Sequence, residues 1–401
     1  VIKDTTKASL ESSAKMVAAQ VENQYTVSQT LSKEFTSTGS CMEGWAGLNE
    51  SDYESCTYKI DVTGNAKVTL VGKGKFKNLN VCNGTKSSAT AIDGECAKTL
   101  VTHIQNLYAK ESTRTSNGLT KDNTTDQNIR YAGATADVKN KVYFNCAETD
   151  GTNAYGSENY NYESSCEIWR IIGVFDTKST DSETEDAVPR IKIVRDAVLS
   201  TDMEWDTTAD GVDYINQWGE TTLASDDTTP YNGASLKQYL NGDYYNSLTS
   251  IAKGQIGNAL WYTGAVADDT ASGVYEDERS NATGTGTTVN YTTKWAGLIG
   301  LIYTSDFGYA GINCGSYTIY EYNNASSCGK TSNWLTPSSG YYWTISPDAT
   351  ESGYAWNVGS AGCTVGYSFV SSTYGVRPAA YLSSNVQIIG GDGSTVPYKL
   401  K

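Results

Sequence analysis

The first 35 residues carry the most regular hydrophobic pattern in the chain. Apolar or small side chains recur there at intervals of three, four or seven residues, and neither proline nor glycine occurs before Gly39. Such spacing places these side chains along one face of an amphipathic helix. A helix over residues 1–35 would be about 50 Å long. The predicted face consists of Leu10, Ala14, Val17, Val21, Ser28, Leu31 and Phe35.

Apolar and polar residues alternate in the segments that follow this helix. Tyr58 and Ile60 alternate with polar residues in one segment, and Val68 and Leu70 do so in the next, beyond a turn that contains Gly and Asn. Period-two alternation bounded by such turns is typical of antiparallel strands. We therefore predict a first domain over residues 1–97, in which the long amphipathic helix packs on a small antiparallel sheet.

The rest of the chain consists of short apolar segments between long polar loops. Residues 169–175 and 190–196 are rich in Ile and Val and predict buried strands, as do residues 295–303. Residues 235–248 have helical spacing. We predict one large, loop-rich α+β domain over residues 98–401.

The acidic residues are concentrated in the second part of the chain. The whole chain has 30 Lys and Arg, 45 Asp and Glu, and a formal net charge of −15 at pH 7. Residues 1–100 hold 11 basic and 11 acidic residues, which leaves 19 and 34 for residues 101–401. An acidic domain repels phosphate backbones, so we expect no nucleic-acid partner.

The single histidine limits the chemistry open to the chain. His103 is the only histidine, so neither a multi-histidine metal centre nor an HExxH site can form. A Ser-His-Asp or Cys-His system would depend on His103 alone, and the chain contains no GxSxG motif. We interpret His103 as a structural residue and predict neither a metal nor a cofactor.

Carboxylates are the only abundant side chains in the sequence that could act in catalysis. Glu204 and Asp206 form one cluster and residues 276–278 form another, and paired carboxylates support glycoside hydrolysis. Acidic clusters in Gly- and Thr-rich segments are more typical of solvated loops. We therefore predict that the chain is not an enzyme.

The nine cysteines predict local disulfides. Eight of them form sequence-adjacent pairs with separations of 15, 14, 20 and 14 residues, and none forms a CxxC motif. Loop-closing disulfides fit this spacing better than zinc knuckles and imply an oxidising, extracytoplasmic setting. Cys363 is left over. The predicted pairs are Cys41–Cys56, Cys82–Cys96, Cys146–Cys166 and Cys314–Cys328.

Export of the chain calls for a segment that the sequence does not contain. No run of 18 or more apolar residues occurs, so none of it predicts a membrane-spanning helix, and no signal peptide is recognisable. We expect an N-terminal segment that is removed or not included.

The segment VIKDTTKASLESSAKMVAAQVENQY resembles the N-terminal region of type IV pilins and pseudopilins of Gram-positive bacteria. In that family a processed apolar half of the helix precedes such a segment, anchors the subunit before assembly and packs in the filament core. The resemblance implies a homo-oligomeric helical filament built through the N-terminal helix, with membrane contact only through the missing apolar segment. The residues that it assigns to packing in the filament core are Leu10, Ala14, Val17, Val21, Leu31 and Phe35.

The motifs CEIWRIIGVF, RIKIVRD, WAGLIGLIYTSDFGYA and YGVRPAAYLSS resemble a surface domain of Firmicutes that often follows pilin-type N-termini. The ending is also similar to C-type-lectin-like folds, where a Trp-containing strand and a GVRP-type ending frame a binding face. Aromatic side chains with Asn and Arg suit sugar or protein recognition. The alternative is that Trp343 and Trp356 are core residues and that Arg377 anchors a turn before Pro378. The predicted face is Trp343, Tyr354, Trp356, Asn357, Tyr367, Tyr374 and Arg377.

These resemblances imply an extracellular, cell-surface protein with an α+β fold, pilin-like at its start and C-type-lectin-like at its end. The expected function is that of a structural subunit of a type IV pilus-like filament, whose outward-facing domain binds a host, glycan or other surface ligand. One alternative is a membrane-tethered, non-polymerising lectin-like adhesin or receptor. The other is a secreted glycosidase-type enzyme.

Overall fold

The computed structural model describes residues 2–31, 35–42, 44–61, 63–93, 96, 98–207, 214–226, 228–284, 289–312, 314–315, 317–323, 332–360 and 365–401. The chain divides into two compact units, Val1–Ala97 and Lys98–Lys401. Both units combine helices with antiparallel sheets, so the fold is of mixed α and β type.

The first unit is a single long helix on a single sheet. Helix α1 spans Ile2–Thr30. Within the described residues of this unit, five strands form an antiparallel sheet in the order β1-β2-β3-β4-β5. The strands are β1 Thr38–Ser40, β2 Tyr53–Ile60, β3 Ala66–Gly72, β4 Leu79–Gly84 and β5 Ala91–Asp93.

The helix is shorter than the sequence pattern predicts. It ends at Thr30, Leu31 is 57% exposed, and Phe35 lies outside the helix. The last turns contain several β-branched residues, which lower helix propensity. Phe35 gains ring contacts off the helix instead, with centroids 6.3 Å from Tyr25 and 5.6 Å from Tyr58. Leu31 and Phe35 are therefore not part of the packed helix face.

The predicted apolar face of α1 packs on the sheet of its own unit. Leu10, Ala14, Val17 and Val21 are all completely buried in one core with side chains of β2, β3 and β4. A Cβ added to Gly84 of β4 would lie 3.3 Å from the Cβ of Ala14, so helix and strand approach closely there. These four side chains have no surface left for another subunit, which corrects their assignment to a filament core.

The second unit is organised around a seven-stranded sheet, counted within the described residues. Six strands follow the order β17-β22-β11-β10-β8-β7, and β9 also pairs with β10. Its strands are β7 Leu119–Lys121, β8 Ile129–Tyr131, β9 Lys141–Phe144, β10 Glu167–Thr177, β11 Val188–Arg195, β17 Ile299–Gly300 and β22 Ala379–Tyr381. The predicted strands over residues 169–175 and 190–196 lie within β10 and at β11, in the middle of this sheet.

Shorter strands and helices surround that sheet. The remaining strands are β6 Lys98–Thr99, β12 Met203–Glu204, β13 Thr221–Thr222, β14 Pro230–Tyr231, β15 Ala259–Tyr262, β16 Lys294–Gly297, β18 Tyr341–Pro347, β19 Tyr354–Gly359, β20 Val365–Phe369, β21 Thr373–Tyr374, β23 Gln387–Gly390 and β24 Lys399–Leu400. The helices are α2 Leu100–Ala109, α3 Glu111–Asn117, α4 Tyr162–Ser165, α5 Ser235–Tyr239, α6 Tyr245–Ser247, α7 Ser250–Gln255, α8 Ala271–Arg279 and α9 Thr304–Ala310.

Two predicted elements differ in detail. The single strand predicted over residues 295–303 is two strands, because β16 pairs with β15 while β17 pairs with β22 of the large sheet. The helix predicted over residues 235–248 is α5 and α6 with a π-helical turn, Leu240–Tyr244, between them.

Three of the four predicted disulfides join described cysteines: Cys41–Cys56, Cys82–Cys96 and Cys146–Cys166. Cys314 is also disulfide-bonded, but its predicted partner Cys328 and the leftover Cys363 lie outside the described residues. Three disulfides indicate an oxidising, extracellular environment. Among the described residues, no helix is both long and apolar enough to cross a bilayer.

Candidate functional site

The predicted binding residues lie mainly on a three-stranded antiparallel sheet of the second unit. Strands β18, β19 and β20 pair in that order. The register places Tyr354 opposite Phe369 and Trp356 opposite Tyr367. Because directly paired residues share a face, these four aromatic side chains lie together on one side of the sheet.

The two tryptophans of the predicted face are core residues. Trp343 and Trp356 are both completely buried. The indole Nε1 of Trp343 donates to the carbonyl oxygen of Met203 at 2.9 Å, and that of Trp356 donates to Val266 at 3.1 Å. A buried tryptophan whose N–H group is hydrogen-bonded has a structural role. Trp343 and Trp356 are therefore core residues, which is the alternative given for them above.

Arg377 is also internal, which corrects its assignment to a binding face. Only 4% of its surface is exposed. Its Nε donates to the carbonyl oxygen of Arg195 at 2.9 Å, and the guanidinium lies 5.1 Å from the ring centroid of Tyr342. The side chain ties the segment before Pro378 to the end of β11.

Asn357 and Tyr374 belong to the other side of the three-stranded sheet. The buried Asn357 donates from Nδ2 to the Oγ of Ser368 at 3.0 Å, and that hydroxyl lies 3.0 Å from the hydroxyl of Tyr374. The Tyr374 ring packs 4.7 Å from Trp343 and 5.3 Å from Tyr341, between centroids. The seven predicted residues therefore do not converge on one surface.

One exposed aromatic surface does remain, and we call Tyr354, Tyr367 and Phe369 the aromatic face. The Tyr354 centroid lies 4.2 Å from that of Phe369 and 5.8 Å from that of Tyr367. Tyr367 is 45% exposed and Phe369 57%. The ring centroid of the buried Trp356 lies 5.5 Å from that of Tyr367. Phe369 is not among the seven predicted residues, although the alternation Val365-Tyr367-Phe369 places it beside Tyr367.

The aromatic face has the composition of a ligand-binding surface. Its rings offer a large, rigid contact area at little entropic cost. Partial burial, followed by the charge of Glu351, raises the pKa of Tyr354 above its ordinary value, which keeps its hydroxyl protonated. Rings beside a carboxylate favour neutral, hydroxyl-rich ligands over anions.

The carboxylates considered for catalysis are not all in solvated loops. Asp206 is buried and accepts hydrogen bonds from the backbone N–H groups of Ile215 and Ser235, both at 3.0 Å. Burial raises its pKa to about 6. Glu278 is completely buried as well, whereas Glu276 is exposed. The expectation of solvated clusters is wrong for Asp206 and Glu278, because both hold structure together in the interior.

His103 lies on α2, half-buried, with its ring edge-on to Tyr398 at 5.3 Å. Burial, followed by the charge of Lys98, lowers its pKa below the ordinary value. Across the described residues, no group of three or more His, Cys, Asp or Glu side chains could hold a metal ion.

The chain matches no protein-family model, no curated protein and no solved structure. The aromatic face is therefore the candidate site on the chemistry of its own residues.

A second exposed apolar surface lies on α1, where Met16 and Val27 are 45% and 44% exposed. With 100° of rotation per residue, these two side chains lie on one stripe, about 20° apart after three turns.

Proposed function

We propose that the chain is a non-enzymatic structural subunit of an extracellular filament of the type IV pilus kind. The observation that supports this most is the reach of α1 beyond its own core. Among residues 4–30 of the helix, Leu10 is the first buried side chain, and residues 4–9 are all exposed or half-buried. Lys7 still reaches the sheet, with its Nζ 2.8 Å from Oδ2 of Asp93 in β5, and the exposed side of this stretch can be covered by neighbouring subunits.

Assembly of such a filament is driven by burial of apolar helix surface between subunits. The buried face of α1 already packs within the first unit. Contacts between subunits along the described helix are therefore made by the stripe of Met16 and Val27. The larger contribution comes from an apolar segment N-terminal to Ile2, which this function requires. The gene sequence upstream of Val1 tests that requirement directly.

The filament proposal is tested on cells that produce the protein. Electron microscopy of sheared fibres, with mass spectrometry of their subunits, should find this chain as a fibre component. Met16→Glu with Val27→Glu should abolish fibres while the folded protein accumulates, because a buried unpaired carboxylate is costly. Gln29→Glu, on the opposite flank of the exposed side, is the matched control and should leave fibres intact.

Two results would count against a filament subunit. Fibres without this chain, together with full recovery of the chain in the membrane fraction, would favour the tethered, non-polymerising adhesin. A conventional cleaved signal sequence directly before Val1, with the chain free in the medium, would favour a secreted protein.

The aromatic face supports a second activity within the same proposal, which is binding of a neutral glycan by the second unit. Stacked tyrosine and phenylalanine rings fit the apolar faces of sugars, and the acidic surroundings disfavour anionic ligands. Tyr367→Ala with Phe369→Ala should abolish binding on a glycan array. Tyr341→Ala is the control, since Tyr341 is 42% exposed but lies on the other side of the sheet. Equal loss in both variants would exclude the aromatic face as the site.

A further inference from the structure

A lysine and an aspartate meet in the interior of the second unit. The Nζ of Lys192 lies 2.6 Å from Oδ2 of Asp306, and the two side chains are 0% and 1% exposed. Lys192 belongs to β11, between β10 and β22 in the large sheet. Asp306 lies in the first turn of α9. The carboxyl carbon is one bond behind the contacted oxygen, so amine and carboxyl group are within reach of reaction.

Aromatic rings enclose the amine. The Nζ lies 3.8 Å from the ring centroid of Tyr303, 4.9 Å from that of Trp261 and 5.5 Å from that of Tyr381. Two opposite charges in such a place are costly to desolvate, and their attraction does not reliably offset that cost. A neutral product would remove this desolvation cost.

Arg130 holds the other oxygen of the same carboxylate. Its Nη1 donates to Oδ1 of Asp306 at 2.8 Å, while its Nε donates to Oδ2 of Asp122 at 2.6 Å. A fixed donor at this oxygen stabilises the negative charge that develops there when a nucleophile adds to the carboxyl carbon. Arg130 thus occupies the position of an oxyanion donor.

Glu278 adds a second buried carboxyl group beside Asp306. Its Oε1 accepts from the backbone N–H of Ser305 and from the hydroxyl of Ser346, both at 3.0 Å. Burial raises the pKa of Glu278 above its ordinary value, while the charge of Arg279, whose Nη1 lies 3.6 Å from Oε2, opposes that rise. Burial also lowers the pKa of Lys192, to about 8, which provides a fraction of neutral amine near pH 7.

We propose that Lys192 and Asp306 condense into an intramolecular amide crosslink between Nζ and the carboxyl carbon. The ammonium first gives a proton to Oδ2. The neutral amine then adds to the carbon, the bond from carbon to Oδ2 breaks, and a second proton passes from nitrogen to the departing oxygen. One water leaves, one positive and one negative charge become a neutral amide, and no oxidant or reductant is needed.

The crosslink joins positions 114 residues apart in sequence. It fastens the central strand β11 to helix α9 and closes a long loop of the chain covalently. Closing a loop of that length restricts the unfolded chain strongly. This inference concerns the second unit alone and does not depend on filament assembly or on ligand binding.

The intact mass of the full-length chain, measured after reduction and denaturation, tests the proposal. We expect a mass about 18 Da below that of the sequence, the loss of one water. Trypsin should then yield peptide 191–195 joined to peptide 295–330, because the modified Lys192 resists cleavage. A full sequence mass, or a loss of water located in a linear peptide such as one containing Asp392-Gly393, would overturn the crosslink.

Two variants identify the groups involved. Lys192→Met should restore the full sequence mass. Lys237→Met is the matched control. Lys237 is also buried and pairs with a carboxylate, but its partner Glu220 is 60% exposed. The loss of water should persist in this variant. Asp306→Asn should form the same amide with loss of ammonia, about 17 Da instead of 18. A loss of 18 Da in Lys192→Met would refute the assignment, and the wild-type mass decides even if a variant fails to fold.

Discussion

The packing of α1 is open to a direct test through Leu10. If Leu10 fills the core of the first unit, Leu10→Ala should destabilise that unit. If it instead awaits a filament partner, the substitution should leave the isolated chain almost unchanged. The structure favours the first outcome, because Leu10 has no exposed surface and packs in a core with side chains of β2, β3 and β4.

The magnitude follows from burial. Leucine-to-alanine substitutions at fully buried sites cost about 2–5 kcal/mol in free energy of unfolding. Met16 is on the same helix and 45% exposed, so Met16→Ala should change stability by no more than about 0.5 kcal/mol. A difference of this size between two apolar residues of one helix separates a core position from a surface position.

Hydrogen exchange with mass spectrometry can read the effect in the full-length chain. Each 1.4 kcal/mol corresponds to about a tenfold change in exchange rate where exchange follows the opening equilibrium. Amides of residues 10–21 should therefore exchange at least about 30-fold faster in Leu10→Ala. Peptides from β10 in the second unit are the internal reference and should be unaffected.

Equal acceleration of exchange in Leu10→Ala and Met16→Ala, or a larger effect of Met16→Ala, would refute this prediction. Either result would mean that the sheet-facing stripe of α1 is not the one that stabilises the first unit. The stripe of Leu10, Ala14 and Val17 would then again be a candidate for contacts between subunits.

Three further predictions concern stability. Gly84→Ala would place a Cβ 2.8 Å from Cγ1 of Val81, and we expect a loss of about 1–3 kcal/mol in the first unit, measured by hydrogen exchange. Removing the Cys146–Cys166 disulfide, whose cysteines are 20 residues apart, should cost about 3 kcal/mol in urea unfolding; an unchanged midpoint would contradict this. Burial raises the pKa of Asp206 to about 6 in the fold, so folding favours its protonated form. The stabilisation from this preference is complete below the unfolded pKa near 3.8 and is lost as the pH rises through about 6. This loss lowers the free energy of unfolding by about 3 kcal/mol. Asp206→Asn should abolish that slope in urea midpoints between pH 4 and 7, and equal slopes would refute it.

Local pattern was enough for much of the first unit. The spacing from Leu10 to Val21 predicts the buried helix face, and the alternation at Tyr58 and Val68 predicts strands of the sheet. Local cysteine spacing also predicts three disulfides that the structure contains. These features depend on neighbours within a few residues or on short loops, where periodicity and loop closure leave few alternatives.

The candidate site was predictable only in part. Aromatic residues that lie on β18 and β19 were predicted to share one binding face, but pattern alone does not tell which side of a sheet is covered. Trp343 and Trp356 are buried because other segments of the second unit pack over them, while Phe369 is exposed on the edge strand β20. The identity of a binding surface depends on what covers each face, and that is decided by distant parts of the chain.

The sequence by itself determined the long helix, the positions of the main strands, the acidic second part and the local disulfides, because each of these is written in short-range spacing and composition. Only the tertiary structure decided that the apolar stripe of α1 is used up by its own sheet and that Lys192 meets Asp306 across 114 residues. Contacts at such separations arise from the packing of whole elements, and no periodicity along the chain records them.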